Sequence, residues 1–238
     1  MKTATSTALT VAGFDPSGGA GLQADLKTFS AFGVSGKSVA TSITIQNTVG
    51  VETVHNISPE VVEQQLRAIL RDGKPGAVKT GMLGNELIVE TVVRILRRYR
   101  VKKIVVDPVI YSSSGKSLLS EPGIQVMKKE LLPATFLLTP NLNETEILSG
   151  VKIRQPSDRI RAARVLIKMG AKNILIKGGH LKGEPQDFFF DGKRSLCLNA
   201  DRVTGVDVHG TGCTLASAIT AGLAKGKGIV TAVKEAKE

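Results

Sequence analysis

Two hydrophobic periods alternate along this chain, and that alternation constrains its fold more than any other feature. Short apolar runs occupy residues 8–14, 38–45, 77–80, 103–110, 136–139 and 173–177. Amphipathic stretches of helical period occupy residues 22–32, 59–71, 86–98 and 158–169. Strands alternating with helices predict a mostly parallel sheet covered by helices on both faces, a three-layer α/β/α arrangement. The unbroken pairs Val105-Val106 and Leu137-Leu138 fit strands buried on both sides. Near the end, Phe188-Phe189-Phe190, then Asp191-Gly192, then residues 194–198 predict a β-hairpin. No repeat, low-complexity tract or linker divides the chain, so residues 1–238 are expected to form a single domain.

Composition narrows the function classes. The formal net charge of +11 leaves two readings, an anionic partner or a solvated basic surface. The densest basic stretch, Arg94, Arg97, Arg98, Arg100, Lys102 and Lys103, ends a predicted helix, where cations suit the helix dipole. The absence of Trp and the 4% aromatic content argue against a protein that stacks nucleic-acid bases. Two cysteines make no disulfide framework. No window has the ~18 apolar residues a membrane span requires, and the N-terminal segment has no cleavage signal. A soluble cytoplasmic protein with reduced thiols is therefore expected.

In an open α/β sheet, ligands gather where strands end. Residues Gly13, Asp15, Gln46, Asn47, Gly81, Met82, Asp107, Asn141, Glu144, Gly178 and Gly179 lie late in apolar runs or just after them. Gly19-Ala20-Gly21-Leu22-Gln23-Ala24 matches a dinucleotide fingerprint only formally. It lies five residues beyond Phe14, and no acid occurs between Asp25 and Glu52. Neither a P-loop nor the protein-kinase motif set is present. The strongest segment is His209-Gly210-Thr211-Gly212-Cys213-Thr214, which opens a helix of small residues. Free N–H groups and the positive helix end form an anion site suited to a transferring phosphoryl group. Cys213 falls in the first turn, where thiolate character is favoured; the plain alternative is a small buried cysteine beside a tight turn. Asp107, Asn141 and Glu144 could hold Mg²⁺ largely through water. The alternative for Asn141 to Glu144 is a helix cap with an acidic first turn. His55 has no metal-ligand spacing, and His180 follows Lys177-Gly178-Gly179 on the expected nucleotide side.

Taken in order, GGAGLQADLKTF, IQNTVGV, KTGML, VDPV, TPNLNE, KGGHL and HGTGCT span nearly the whole chain. The set resembles the hydroxymethylpyrimidine/phosphomethylpyrimidine kinases, ribokinase-like enzymes of thiamine biosynthesis. The resemblance implies a ribokinase-like sheet, ATP and Mg²⁺, a homodimer, and two successive phosphorylations, first of the alcohol of 4-amino-5-hydroxymethyl-2-methylpyrimidine and then of its monophosphate. It implies Cys213 as the base for the hydroxyl and Gly210, Thr211 and Gly212 as the anion hole. Gln46 would pair with the aminopyrimidine edge, since an amide both donates and accepts. Gly13, Asp25, Met82 and Val109 would complete that pocket. Asp107, Asn141, Glu144 and Lys177 would lie near phosphates, with Asp107 and Glu144 near the metal. The family pattern differs at Phe14 and Pro16, and it continues past Glu238 into more of the last helix, so a shortened C-terminus is expected. A pyridoxal-type kinase of the same superfamily is the near alternative, although Gln46 suits a pyridine less well. A non-catalytic ligand-binding scaffold is the alternative of a different class. Turnover of the two alcohols with Mg-ATP separates all three. Salt-dependent nucleic-acid binding would mark a fourth reading, based on charge alone.

Overall fold

In the computed structural model, the described residues are 5–47, 49–178, 186–199 and 210–238. The strands are β1 (Thr7–Phe14), β2 (Ser35–Gln46), β3 (Val51–Asn56), β4 (Ala77–Thr80), β5 (Ile104–Val106), β6 (Leu137–Leu138), β7 (Ile174–Ile176), β8 (Gln186–Phe190) and β9 (Ser195–Asn199). Among the described residues they form one sheet in the order β3-β2-β1-β4-β5-β6-β7-β8-β9. The stretch from β2 to β7 is parallel, and β3, β8 and β9 add antiparallel edges. The helices are α1 (Gly21–Ala31), α2 (Pro59–Asp72), α3 (Glu86–Arg98), α4 (Glu121–Val126), α5 (Leu142–Ser149), α6 (Pro156–Lys168), α7 (Thr211–Ala224) and α8 (Ile229–Lys237).

Strand alternation divides the interior into two cores. Val78, Val106, Leu138 and Ile176 point to one face, where Val62, Leu66, Ile88, Val92, Ile124, Leu148 and Leu166 of α2 to α6 cover them. Ala77, Val105, Leu137 and Leu175 point to the other face and meet Ala216, Ile219 and Leu223 of α7 and Val233 of α8. Ala8 meets Phe29 of α1 and Ala221 of α7 on that same side. Because successive residues of a strand face opposite ways, Lys79 lies on the α1/α7 side with Ala77.

The strand order reverses at β1. The chain moves from β1 to β2 on one side and later resumes with β4 on the other. Such a switch point opens a crevice at the strand C-termini. A Cβ built at Gly13, at the end of β1, would stand 3.1 Å from Met82 Sδ and 2.9 Å from Ser42 Oγ. The switch point therefore brings together two residues that lie far apart in the sequence.

The predicted layers, parallel sheet and terminal hairpin are all present. Asp191 closes the hairpin by accepting hydrogen bonds from the Lys193 and Arg194 amides at 2.9 and 2.6 Å. Some boundaries differ from expectation. The run predicted over residues 103–110 is a strand only to Val106, because Pro108 supplies no N–H and Val109 adopts φ +32°. β3 is not among the predicted runs, because Val51-Glu52-Thr53-Val54-His55-Asn56 buries no side chain fully and carries little apolar signal.

Helix α3 ends on Tyr99, and Arg100 follows with φ +52°. A left-handed residue at that point is usually glycine. Arg100→Gly is expected to stabilise the fold by about 1 kcal/mol, read as an increase in the urea midpoint without a change in slope.

Candidate active site

Three glycine-rich or helix-opening segments meet beside the β1–β4 crevice. The first is the loop from Asp15 to Gly21, which one carboxylate organises. Asp15 Oδ1 accepts from the Ser17 amide at 2.9 Å and the Ser17 hydroxyl at 2.7 Å, and Oδ2 accepts from the Ala20 amide at 2.8 Å. The second is the start of α7. Gly210, its N-cap, has φ +88°, and a Cβ there would overlap the Gly19 carbonyl oxygen. Only glycine lets these two backbones touch. The third is the end of β7, where a Cβ built at Gly212 would lie 3.0 Å from Lys177 Nζ.

The first helical bond of α7 runs from the Thr214 amide to the Gly210 carbonyl at 3.0 Å. The N–H groups of Thr211, Gly212 and Cys213 precede it and have no acceptor within the helix. Together with the helix dipole they form a positive cradle. Lys177 adds a cation. Its ammonium donates to Asp107 Oδ1 at 2.7 Å. Burial works against that charge, but Asp107 and Glu144 outweigh it and hold the Lys177 pKa above the ordinary lysine value. The predicted phosphate-side residues Asp107, Asn141, Glu144 and Lys177 are therefore neighbours, and Asn141 and Lys177 also form an isolated β-bridge.

Asn141 and Glu144 form a capping box. The Asn141 carbonyl oxygen Oδ1 accepts from the Glu144 amide, and Glu144 Oε2 accepts from the Asn141 amide, both at 2.8 Å. Glu144 Oε1 also accepts from the Ile110 amide at 3.4 Å. Burial raises the Glu144 pKa; Lys177 opposes this and Asp107 reinforces it. The cap reading and the phosphate-side reading thus describe the same residues.

Cys213 is half-buried and a free thiol. Burial pushes its pKa up to about 11, against the pull of the Lys79 cation and a hydrogen bond from the Gly21 backbone, while Asp107 and Asp25 push the same way as burial. The thiolate character expected from the helix N-terminus is outweighed by desolvation. Gly21 itself sits over the Gly13 carbonyl, which a Cβ at Gly21 would overlap. The thiol therefore borders the crevice that Gly13 and Met82 line.

Gln46 ends β2, and its Oε1 accepts from the Thr44 hydroxyl at 3.2 Å. That hydroxyl also lies 3.0 Å from the Phe14 carbonyl at the end of β1. Val109 is half-buried beyond β5. A β-branched residue at φ +32° is strained, and such strain clusters at functional sites.

Asp25 anchors a buried hydrogen-bond network. It is fully buried and occupied by protein donors: Thr10 Oγ1 at 2.5 Å, Lys79 Nζ at 2.6 Å and Ser217 Oγ at 2.7 Å. Lys79 lies in the KTGML motif, but a lysine inside an apolar run looks like an edge residue until alternation aims it inward. A cleft of about 500 Å³ also opens between the β2–β3 turn and the loop at residues 114–116, lined by Asn47, Val49, Glu52, Ser114 and Lys116. His180, Gly179 and His209 lie outside the described residues.

The family described as phosphomethylpyrimidine kinase matches residues 15–238. The hydroxymethylpyrimidine/phosphomethylpyrimidine kinase of Rhizobium meliloti is 46% identical over 98% of this chain and 88% of its own length. The crystal structure of the phosphomethylpyrimidine kinase from Clostridium difficile superposes with a TM-score of 0.88 at 41% identity, covering 98% of this chain and 96% of that one. The pyridoxal kinase of Staphylococcus aureus, solved with AMP-PCP and pyridoxal, gives a TM-score of 0.90 at 37% identity over 99% of this chain and 86% of that one. With the family match running from the Asp15 loop through the α7 cradle, this chain belongs to the phosphomethylpyrimidine kinase family.

Proposed function

We propose that this chain, as one kinase domain, transfers a phosphoryl group from ATP to the hydroxymethyl oxygen of 4-amino-5-hydroxymethyl-2-methylpyrimidine, and then a second to the monophosphate so formed, as a step of thiamine biosynthesis. The carrying observation is the position of Cys213. It stands in the first turn of a helix whose cradle faces Lys177, and beside Gly21 at the Gly13–Met82 crevice.

In the reaction, the alcohol oxygen forms a bond to the γ-phosphorus as the bond from that phosphorus to the β,γ-bridging oxygen breaks, releasing ADP. Cys213, in its thiolate form, accepts the alcohol proton. In a loose phosphoryl-transfer transition state that proton is lost late, and the raised pKa makes the thiolate, though the minor form at neutral pH, the stronger proton acceptor. The N–H groups of Thr211, Gly212 and Cys213 and the Lys177 ammonium stabilise the oxygens on which charge builds. In the second round the acceptor is a phosphate oxygen, already ionised, and the base matters less.

The donor chemistry suits Mg²⁺. Asp107 and Glu144 are hard oxygen donors close to Lys177, and among the described residues no group of three acidic, His or Cys side chains makes a protein cage. An ion that keeps its waters and binds mainly to nucleotide phosphates fits that arrangement. Bound there, it would neutralise phosphate charge.

A base that works as a reduced, unpaired cysteine suits the reducing cytoplasm. A homodimer is supported by the apolar outer side of the crevice mouth, where Phe14, Ile43 and Ile45 are 42%, 48% and 47% exposed.

The deciding experiment is a steady-state assay with Mg-ATP and hydroxymethylpyrimidine, its monophosphate, or pyridoxal. Preferential turnover of both pyrimidines is expected. Preference for pyridoxal would instead favour the activity named for the Staphylococcus structure, and binding without turnover would favour a scaffold. Gln46→Ala is expected to raise the KM for the pyrimidine by about tenfold to a hundredfold, the worth of one or two hydrogen bonds to the ligand, with a smaller change in kcat. Unchanged KM and unchanged discrimination against pyridoxal would remove Gln46 from the pocket.

A further inference from the structure

The mechanism above gives no role to the buried Lys79–Asp25 pair. The side chains of Lys79 and Asp25 are both wholly buried and joined at 2.6 Å. A buried pair of this kind is weak grounds for stability, since desolvation offsets much of the attraction. Its placement is the informative part. Lys79 comes from β4, Asp25 from α1, Thr10 from β1 and Ser217 from α7, and Asp25 collects hydrogen bonds from the other three. Ser217 follows Cys213 by four residues, so the two side chains share a face of α7.

We propose that Lys79 is a positioning residue: through Asp25 and Ser217 it fixes the rotation of α7 against the sheet, and it holds a fixed cation on the side of the helix that carries the Cys213 thiol. This rests on the kinase reading for its catalytic consequence but not for its physical content. Among the described residues, the charged groups acting on the thiol come from four places around it. They are Lys79 on β4, Asp25 on α1, Asp107 after β5 and Lys177 after β7. Lys79 and Lys177 favour the thiolate, and the two carboxylates oppose it. Removing the Lys79 cation leaves Asp25 uncompensated, and both changes push the thiol further toward its protonated form.

The test reads the thiol directly. In a Cys197→Ser background, which removes the exposed second cysteine on β9, iodoacetamide alkylation of Cys213 is followed by mass spectrometry from pH 7 to 10. The parent rate is expected to climb about tenfold per pH unit, because only the thiolate reacts and the range lies below its pKa. Lys79→Met is expected to slow alkylation at each pH by about tenfold or more, to lower kcat for the pyrimidine by about a hundredfold, and to leave its KM within about threefold. Should Lys79→Met fail to fold, Ser217→Ala carries the test. Loss of that tether is expected to lower kcat severalfold, with an unchanged KM and an altered alkylation rate. Alkylation profiles superimposable on the parent in a folded variant, with only the melting temperature reduced, would show a purely structural pair and overturn the proposal. If the parent protein turned over no pyrimidine yet Lys79→Met still slowed alkylation, the substrate reading would fail while the role of Lys79 stood.

Discussion

Cys213→Ala is expected to lower kcat for hydroxymethylpyrimidine by about 10²–10⁴-fold, the usual contribution of a positioned general base, while the pyrimidine dissociation constant changes little. The substitution removes one sulfur from a half-buried site and leaves the backbone cradle of α7 intact, so ground-state binding and phosphate recognition persist. The two half-reactions should separate. An alcohol acceptor needs its proton removed, whereas the monophosphate acceptor is already ionised at neutral pH, so the second phosphorylation should fall much less. Single-turnover measurements on each acceptor, with isothermal titration of the pyrimidine, test this. Equal turnover numbers for parent and variant on the alcohol would exclude the thiol from proton transfer.

Gly210→Ala is expected to abolish both phosphorylations. The Gly210 φ of +88° lies where an L side chain is strained, and the added Cβ would overlap the Gly19 carbonyl oxygen. Relief requires the Asp15–Gly21 loop and the α7 start to move apart. Backbone strain of this kind costs about 1–3 kcal/mol, and the displaced cradle would lose several aligned N–H donors, each worth about 10²–10³ in kcat at an oxyanion site. Loss of turnover by three or more orders of magnitude with near-native circular dichroism is the expected pattern. Because Gly210 serves both acceptors and Cys213 chiefly the first, the ratio of the two activities distinguishes a damaged cradle from a missing base.

The layered sheet was legible because burial on both faces leaves a strong mark on short strands, as in Val105-Val106 and Leu137-Leu138. The start of α7 was legible from Gly210-Thr211-Gly212, since a left-handed N-cap favours glycine. What could not be read was how polar residues satisfy one another. Asp25 was placed in the pyrimidine pocket by resemblance, but sequence does not reveal that Thr10, Lys79 and Ser217 converge on its oxygens from three other elements. The thiol was expected to be acidified by its helix, and only the packed structure shows burial winning. β3 was missed for a related reason: an edge strand with an exposed face lacks the apolar pattern on which recognition depends.

The packing of α7 on the centre of the sheet has a consequence for biosynthesis. Ala8, Phe29 and Ala221 share one core, and Ser217 of α7 donates to the buried Asp25 that Lys79 also holds. Translation at about 5–20 residues per second delivers β1, α1 and β4 many seconds before the segment that closes over them. Throughout that interval α7 is missing from Ala8, Phe29 and Asp25, which it contacts in the folded chain. A charged pair at this position would keep the unfinished face wettable until α7 emerges.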